Sequence, residues 1–321
     1  MEENEVVLDE EQKSKLGKRS NFATKRRNEI LFLITLFAFP VIHKIIFYIG
    51  GNINSFTLAF QRYDGGLEKF VWTGFDNFKQ VFNDLKNSVM LRTGMKNTMF
   101  LYLMETFVSI PISLLCSYFV VKKVPGHDFL KVVFFLPSLV SGVVMVLMYK
   151  YFCEYALPDV AQSLFHKKLP LILSEYPYAF PMMMLYSLWV GFAGGIVMYV
   201  GNMSKVPEGV TDAAQIDGVS VMGEFWHITM PAVYPLLTVY LITGLTAMFT
   251  GSGAIFTFYQ YNAPQYCYTT GYFLFTKVMG DNASNFTYPY PAAVGMLVTL
   301  IVAPLTFLLK WALEKFGPTE G

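Results

Sequence analysis

Apolar and polar positions do not mix evenly along this chain. Six long apolar runs, at 29–48, 97–120, 129–149, 180–201, 232–250 and 291–311, are separated by polar connections. A helix needs about 20 mostly apolar residues to cross a bilayer, and each run has that length. The pattern predicts an all-α membrane protein with six transmembrane helices over 29–312. Short polar tails are expected at 1–28 and 313–321. The first tail mixes acids and bases with little apolar content, which predicts a segment without a packed core. The first apolar run follows a long charged stretch and has no small-residue cleavage site, so it does not read as a signal peptide.

Composition agrees with this pattern. Hydrophobic residues are 54% of the chain, charged residues 15%, and mean hydropathy is +0.42. A soluble domain carries roughly 25% charged residues. A net charge of +1 gives no nucleic-acid signal. Cys116, Cys153 and Cys267 are too few and too scattered for a disulfide framework or a zinc site, and His43, His127, His166 and His227 form no ligand cluster. Basic residues flank the apolar runs unequally. Lys25-Arg26-Arg27 precedes the first run, Lys122, Lys123 and Lys131 sit around the second connection, and Lys310 and Lys315 lie near the end. Cytoplasmic connections are the ones enriched in Lys and Arg, so both termini are predicted inside.

With that orientation the polar stretch 203–231, between the fourth and fifth runs, becomes a cytoplasmic loop. Its residues predict helix–Gly–helix. Pro207 suits a first helical turn, where its missing N–H costs nothing. Glu208 favours the positive end of the helix. Gly218 can take the left-handed conformation that ends a helix. Ser220 is a plausible N-cap for a second short helix, and Pro231 marks the entry to the fifth run. Ala213 and Ala214 give the first helix a low profile, able to seat in a groove of another protein. Asp212 and Asp217 can meet basic groups there. Phe225 and Ile228 are three apart, spaced to pack the second helix on the bundle.

The joint spacing of Asp212, Ala213, Ala214, Asp217, Gly218, Phe225, Ile228 and Pro231 resembles the EAA loop of the permease subunits of binding-protein-dependent ABC importers. Three further stretches resemble the carbohydrate-importer type of that family. They are Asn97-Thr98 opening the second run, Phe134-Phe135-Leu136-Pro137 in the third, and Gly74-Phe75-Asp76-Asn77-Phe78 after the first. Two positions depart from the family pattern: its leading Glu is Asp212 here, and the Ala after Asp-Gly is Val219. The resemblance implies half of a translocation pathway in a bacterial plasma membrane, surrounded by lipid. It implies a second homologous permease, two ATPase subunits below and a solute-binding protein above, with a mono- or oligosaccharide as substrate. ATP and Mg would belong to the ATPase, because no Gly-x-x-x-x-Gly-Lys-[Ser/Thr] loop occurs in this chain. The chain is thus expected to be no enzyme and to bind no cofactor or metal. The same machine for a peptide, a polyamine or glycerol phosphate is a second reading. A stand-alone secondary transporter is a third, and it should show inverted repeats.

Several residues inside the apolar runs are candidates for the path. In the fifth run Tyr240, Thr243, Thr246 and Thr250 share an arc of roughly a third of a helix circumference. They could line the path, or bond their own helix carbonyls. Glu105 in the second run is an intramembrane carboxylate, functional by default. Lys44 in the first run has a similar predicted depth, so Lys44 and Glu105 form a candidate ion pair; Lys44 could instead snorkel outward. Ser187, Gly191, Gly194 and Gly195 form a small-residue face in the fourth run, suited to a close helix contact. Tyr186 and Trp189 could stack on a sugar, or pack in the core. Phe75, Phe78 and Phe82 have helical spacing and predict an amphipathic helix outside the first run.

Overall fold

The computed structural model describes residues 25–280 and 287–318, so most of the 1–28 tail and the end of the 313–321 tail lie outside the described residues. The chain divides into two compact units, Met1–Leu58 and Ala59–Gly321. The described part of the first unit is one helix, Lys25–Leu58, with a π-helical stretch at Lys44–Ile49.

Among the described residues, five helices are long and apolar enough to cross a membrane, and a bent pair makes a sixth if counted as one span. They are Lys25–Leu58, Val89–Val121, Ala179–Met203, Val221–Tyr259 and Pro289–Phe316, with His127–Leu139 plus Gly142–Phe165 as the bent pair. All six apolar runs therefore fall on helices, but the third run is not straight: its two pieces meet at 107°. The break falls at two residues between the pieces. Pro137 sits inside the first piece, which runs unbroken past it to Leu139. Val140 and Ser141 are extended, and a new helix starts at Gly142. Hydropathy averages over such a break and cannot see it.

The spans of the second unit pack through small and hydroxylic residues. On the second span Ser113 Oγ donates to the Ser109 carbonyl at 2.7 Å and lies 3.3 Å from that of Phe192. Ser117 repeats the arrangement one turn on, toward Ser113 and Ile196. Opposite them, a Cβ on Gly195 would stand 3.2 Å from Ser113 Oγ. Apolar surface gains little from helix contact in lipid, so close backbone approach and these hydrogen bonds carry the pairing. Outward faces stay apolar, as at Phe107 and Phe307, which is what a lipid surround requires.

Between the first and second spans a hairpin, β1 (Gln61–Asp64) with β2 (Lys69–Trp72), pairs antiparallel. The helix Asp76–Asn87 follows. Its buried face is Asn77, Phe78 and Val81 rather than a Phe75–Phe78–Phe82 stripe. Phe75 precedes the first turn, and Phe82 points outward. Asn77 explains the Asn-Phe pair: its amide donates to the carbonyls of Ala59 and Gln61 at 2.8 and 2.7 Å, tying helix to hairpin. Tyr290 of the last span donates to Asp84 of this helix at 2.7 Å. The Asn97-Thr98 pair has a similar role. Asn97 donates to the carbonyls of Tyr266 and Tyr268, and Thr98 Oγ1 accepts from Thr270 N–H at 2.9 Å. The segment after the fifth span is thereby pinned against the second.

Candidate functional site

Two sites emerge, one at each end of a shared pair of helices. The first is the connection after the fourth span. A helix runs over Glu208–Ile216, and Pro207 is its extended N-cap residue. Gly218 has φ +75°, the left-handed value that ends the helix and turns the chain. Ser220 Oγ then accepts from Gly223 N–H at 3.1 Å and caps the second helix. That helix continues through a π-helical turn, Phe225–Thr229, into the fifth span. Pro231 lies just after the π-helical turn, inside the continuous helix Val221–Tyr259.

The two arms differ in what they touch. Ala214 and Phe225 are buried. Phe225 packs edge-on to Tyr118 of the second span at 5.1 Å, in a cluster with Ile110, Leu114, Tyr199, Met203 and Val233. Ile228 is half-buried beside it. Asp212, Ala213 and Asp217 are exposed, as are Ile216 (87%) and Val221 (61%). The helix therefore offers carboxylates, a small side chain and an uncovered apolar rim.

Sequence reading did not find what clamps this segment. Glu224 is buried and pairs with Lys122, at the inner end of the second span. Tyr118 one turn earlier donates to the Val221 carbonyl at 2.9 Å. In the sequence Lys122 stands out only as a charge flanking an apolar run, and nothing in the chain marks its partner 102 residues later. Asp212 and Glu208 share a hollow of about 390 Å³ with Lys122 and Lys123.

The second site is a cavity of about 480 Å³ between the second, fourth and fifth spans. Its wall includes Thr98, Tyr102, Glu105, Met183, Ser187, Tyr240 and Thr243. Glu105 opens a π-helical turn, Glu105–Ser109, that aims its side chain toward the fourth span. The carboxylate lies against Gly191: a Cβ there would stand 2.7 and 2.8 Å from its two oxygens. Gly191 and Gly195 thus face the second span of this same chain, whereas Gly194 has open space. Tyr102 donates to the Leu241 carbonyl at 3.2 Å, linking second and fifth spans across the cavity.

The polar stripe of the fifth span divides. Tyr240 and Thr243 reach the cavity wall; Thr246 and Thr250 do not. Hydroxyls of Thr243, Thr246 and Thr250 all lie within reach of carbonyls of their own helix, from 2.7 to 3.5 Å. Tyr186 is buried among Tyr149 and Phe258, with ring centroids at 5.1 and 5.2 Å, and Trp189 sits 6.5 Å from Tyr149; neither lines the cavity. Lys44, in the N-terminal unit, holds its ammonium 4.1 Å from the centroid of the Tyr48 ring one turn on.

Among the described residues, helices of membrane length, a cavity and a clamped helix–Gly–helix connection make up the architecture of a polytopic membrane protein. No protein-family model matches the chain. The sequence is 24% identical over 283 residues to the multiple sugar-binding transport system permease protein MsmF of Streptococcus mutans, covering 88% of this chain and 95% of that one. It is 27% identical over 317 residues to the arabinooligosaccharides transport system permease protein AraP of Bacillus subtilis, covering 95% and 93%. The fold matches a chain of a bacterial ABC transporter involved in the import of the acidic polysaccharide alginate, with a TM-score of 0.72 and 17% identity over 91% of this chain and 98% of that one. A chain of a bacterial alginate ABC transporter in complex with alginate pentasaccharide-bound periplasmic protein gives a TM-score of 0.71 at 15% identity, over 92% of this chain and 98% of that one. Over most of its length the chain is thus similar in sequence to the permease subunits of sugar transport systems and in fold to a chain of an ABC importer.

Proposed function

We propose that this chain forms half of the pathway through which an ATP-driven importer carries a sugar or oligosaccharide across a bacterial plasma membrane. The observation that carries the reading is the clamped connection over 203–231, joined to relatives that are sugar permeases. In this reading the chain crosses the membrane six times with both ends inside, counting the bent pair as one span. Basic residues at Lys25–Arg27 and Lys122–Lys123 support that orientation.

The exposed face of Glu208–Ile216 is the contact for an ATPase subunit, on which ATP and Mg are held. A second permease completes the pathway and a solute-binding protein delivers the sugar outside. The covalent chain offers a physical route for the stroke. Movement of the helix passes through Gly218 and Ser220 directly into Val221–Tyr259. It also passes through Glu224–Lys122 and Phe225–Tyr118 into Val89–Val121. Both spans wall the cavity. A push on the loop therefore bears on two walls of the same chamber.

The test is affinity purification of the tagged chain in mild detergent, as wild type and as Gly218→Pro. A proline ring holds φ near −65°, so it cannot adopt the +75° found here. Wild type is expected to bring a second permease and an ATPase, and the variant to keep the permease and lose the ATPase. A chain that purifies alone, or a variant that keeps its ATPase, overturns the reading.

A further inference from the structure

The cavity wall is largely apolar and hydroxylic, and it contains one carboxyl group. Among the described residues that line it, Glu105 is the only one with an acidic side chain, and neither Lys, Arg nor His is present. The carboxylate lies on Gly191, with Tyr240 and Thr243 on the opposite span. The volume of about 480 Å³ falls within the range of small-molecule sites, roughly 300–1,000 Å³.

Resting on the importer reading above, we propose that Glu105 is a specificity-determining residue that makes this pathway one for saccharides without carboxylate or phosphate groups. Two physical arguments carry it. A carboxylate on a largely apolar wall accepts charge-assisted hydrogen bonds from sugar hydroxyls, stronger than those from neutral acceptors. The same carboxylate repels an acidic sugar, and at an effective dielectric near 20 two like charges a sugar's width apart discriminate by roughly tenfold or more. Met183 and the neighbouring apolar wall can cover the non-polar faces of a sugar ring but offer no cation to neutralise a uronate. In charge preference this half-pathway is thus the opposite of one built for an acidic polysaccharide.

The experiment uses the complete importer in proteoliposomes, with its binding protein and internal ATP. Uptake of a neutral oligosaccharide and of a uronate-bearing one of equal length is measured for wild type, Glu105→Gln, Glu105→Ala and Glu105→Asp. The binding protein is the same throughout, so its own selectivity cancels in the comparison between variants. Gln and Ala are expected to raise the uronate-to-neutral uptake ratio about tenfold, and Asp to stay near wild type. A ratio unchanged in both Gln and Ala, with uptake of the two sugars rising or falling together, would mean that Glu105 serves packing against Gly191 alone, and the proposal is overturned. Absence of ATP-dependent uptake of any saccharide by the wild type would instead overturn the importer reading, a distinct result.

Discussion

At the residue scale, two glycines show why neighbourhood matters more than residue type. A Cβ on Gly271 would collide with the backbone carbonyl of Gly251, which cannot move without shifting the segment after the fifth span. A Cβ on Gly191 would meet only the end of the Glu105 side chain, which can rotate away. Gly271→Ala is therefore expected to destabilise by about 1–3 kcal/mol. Gly191→Ala should cost under about 1 kcal/mol and act on transport instead. Thermal unfolding of both variants in one detergent checks the order, and Gly191→Ala proving the costlier would refute it. The Lys122–Glu224 pair supplies a second case. Glu224 is buried but Lys122 is partly open, so removing one charge should cost less than the 3–5 kcal/mol of a fully enclosed pair. About 1–3 kcal/mol is expected for Glu224→Met alone. Lys122→Met with Glu224→Met should recover at least half of it, because no unpaired buried charge remains. A double variant less stable than either single one would mean that the pair does not act as a unit.

At the element scale, the connection over 203–231 is a short helix tied at one end and bare on one side. Its second arm is fixed by Phe225, Glu224 and the Tyr118 hydroxyl, so the first arm is carried as a rigid projection. Ala213 is exposed and touches no core residue that would resist a larger side chain. Ala213→Trp should leave the melting temperature of the purified permease unchanged, as surface substitutions generally stay within about 0.5 kcal/mol. Co-purification of the ATPase should nonetheless fall at least tenfold, because the low profile needed for seating is gone. Full ATPase retention by Ala213→Trp would show that the partner docks elsewhere. The second and fifth spans explain why such a contact can matter far away: each begins at the clamp and ends at the cavity.

At the scale of the whole molecule, the prediction is topological. Single cysteines at Lys123 and at Glu68, which turns the hairpin with φ +49°, should label from opposite sides of the membrane. Native Cys267 will not interfere. It is fully buried, and burial pushes its thiol up to about 12, so the reactive thiolate is absent at any pH used for labelling. Cys116, partly exposed on the second span, is replaced by Ser in this experiment. Labelling of both positions from one side would refute the six-crossing arrangement.

The sequence by itself determined the helical membrane class, the places of the apolar runs and the form of the 203–231 connection. Each of these depends on neighbours along the chain: a run of about 20 apolar residues must sit in lipid, Gly218 tolerates φ +75° because it lacks a Cβ, and Ser220 caps a helix three residues away. Tertiary structure alone decided the Lys122–Glu224 clamp, the placing of Glu105 on Gly191, and which of Tyr240, Thr243, Thr246 and Thr250 reach the cavity. These depend on side chains some 80 to 140 residues apart meeting in space, or on how one helix is rotated against two others. Hydrophobic periodicity is weak inside lipid, where every face of a helix is apolar, so rotation is set by packing of small residues and hydrogen bonds rather than by a pattern the chain displays.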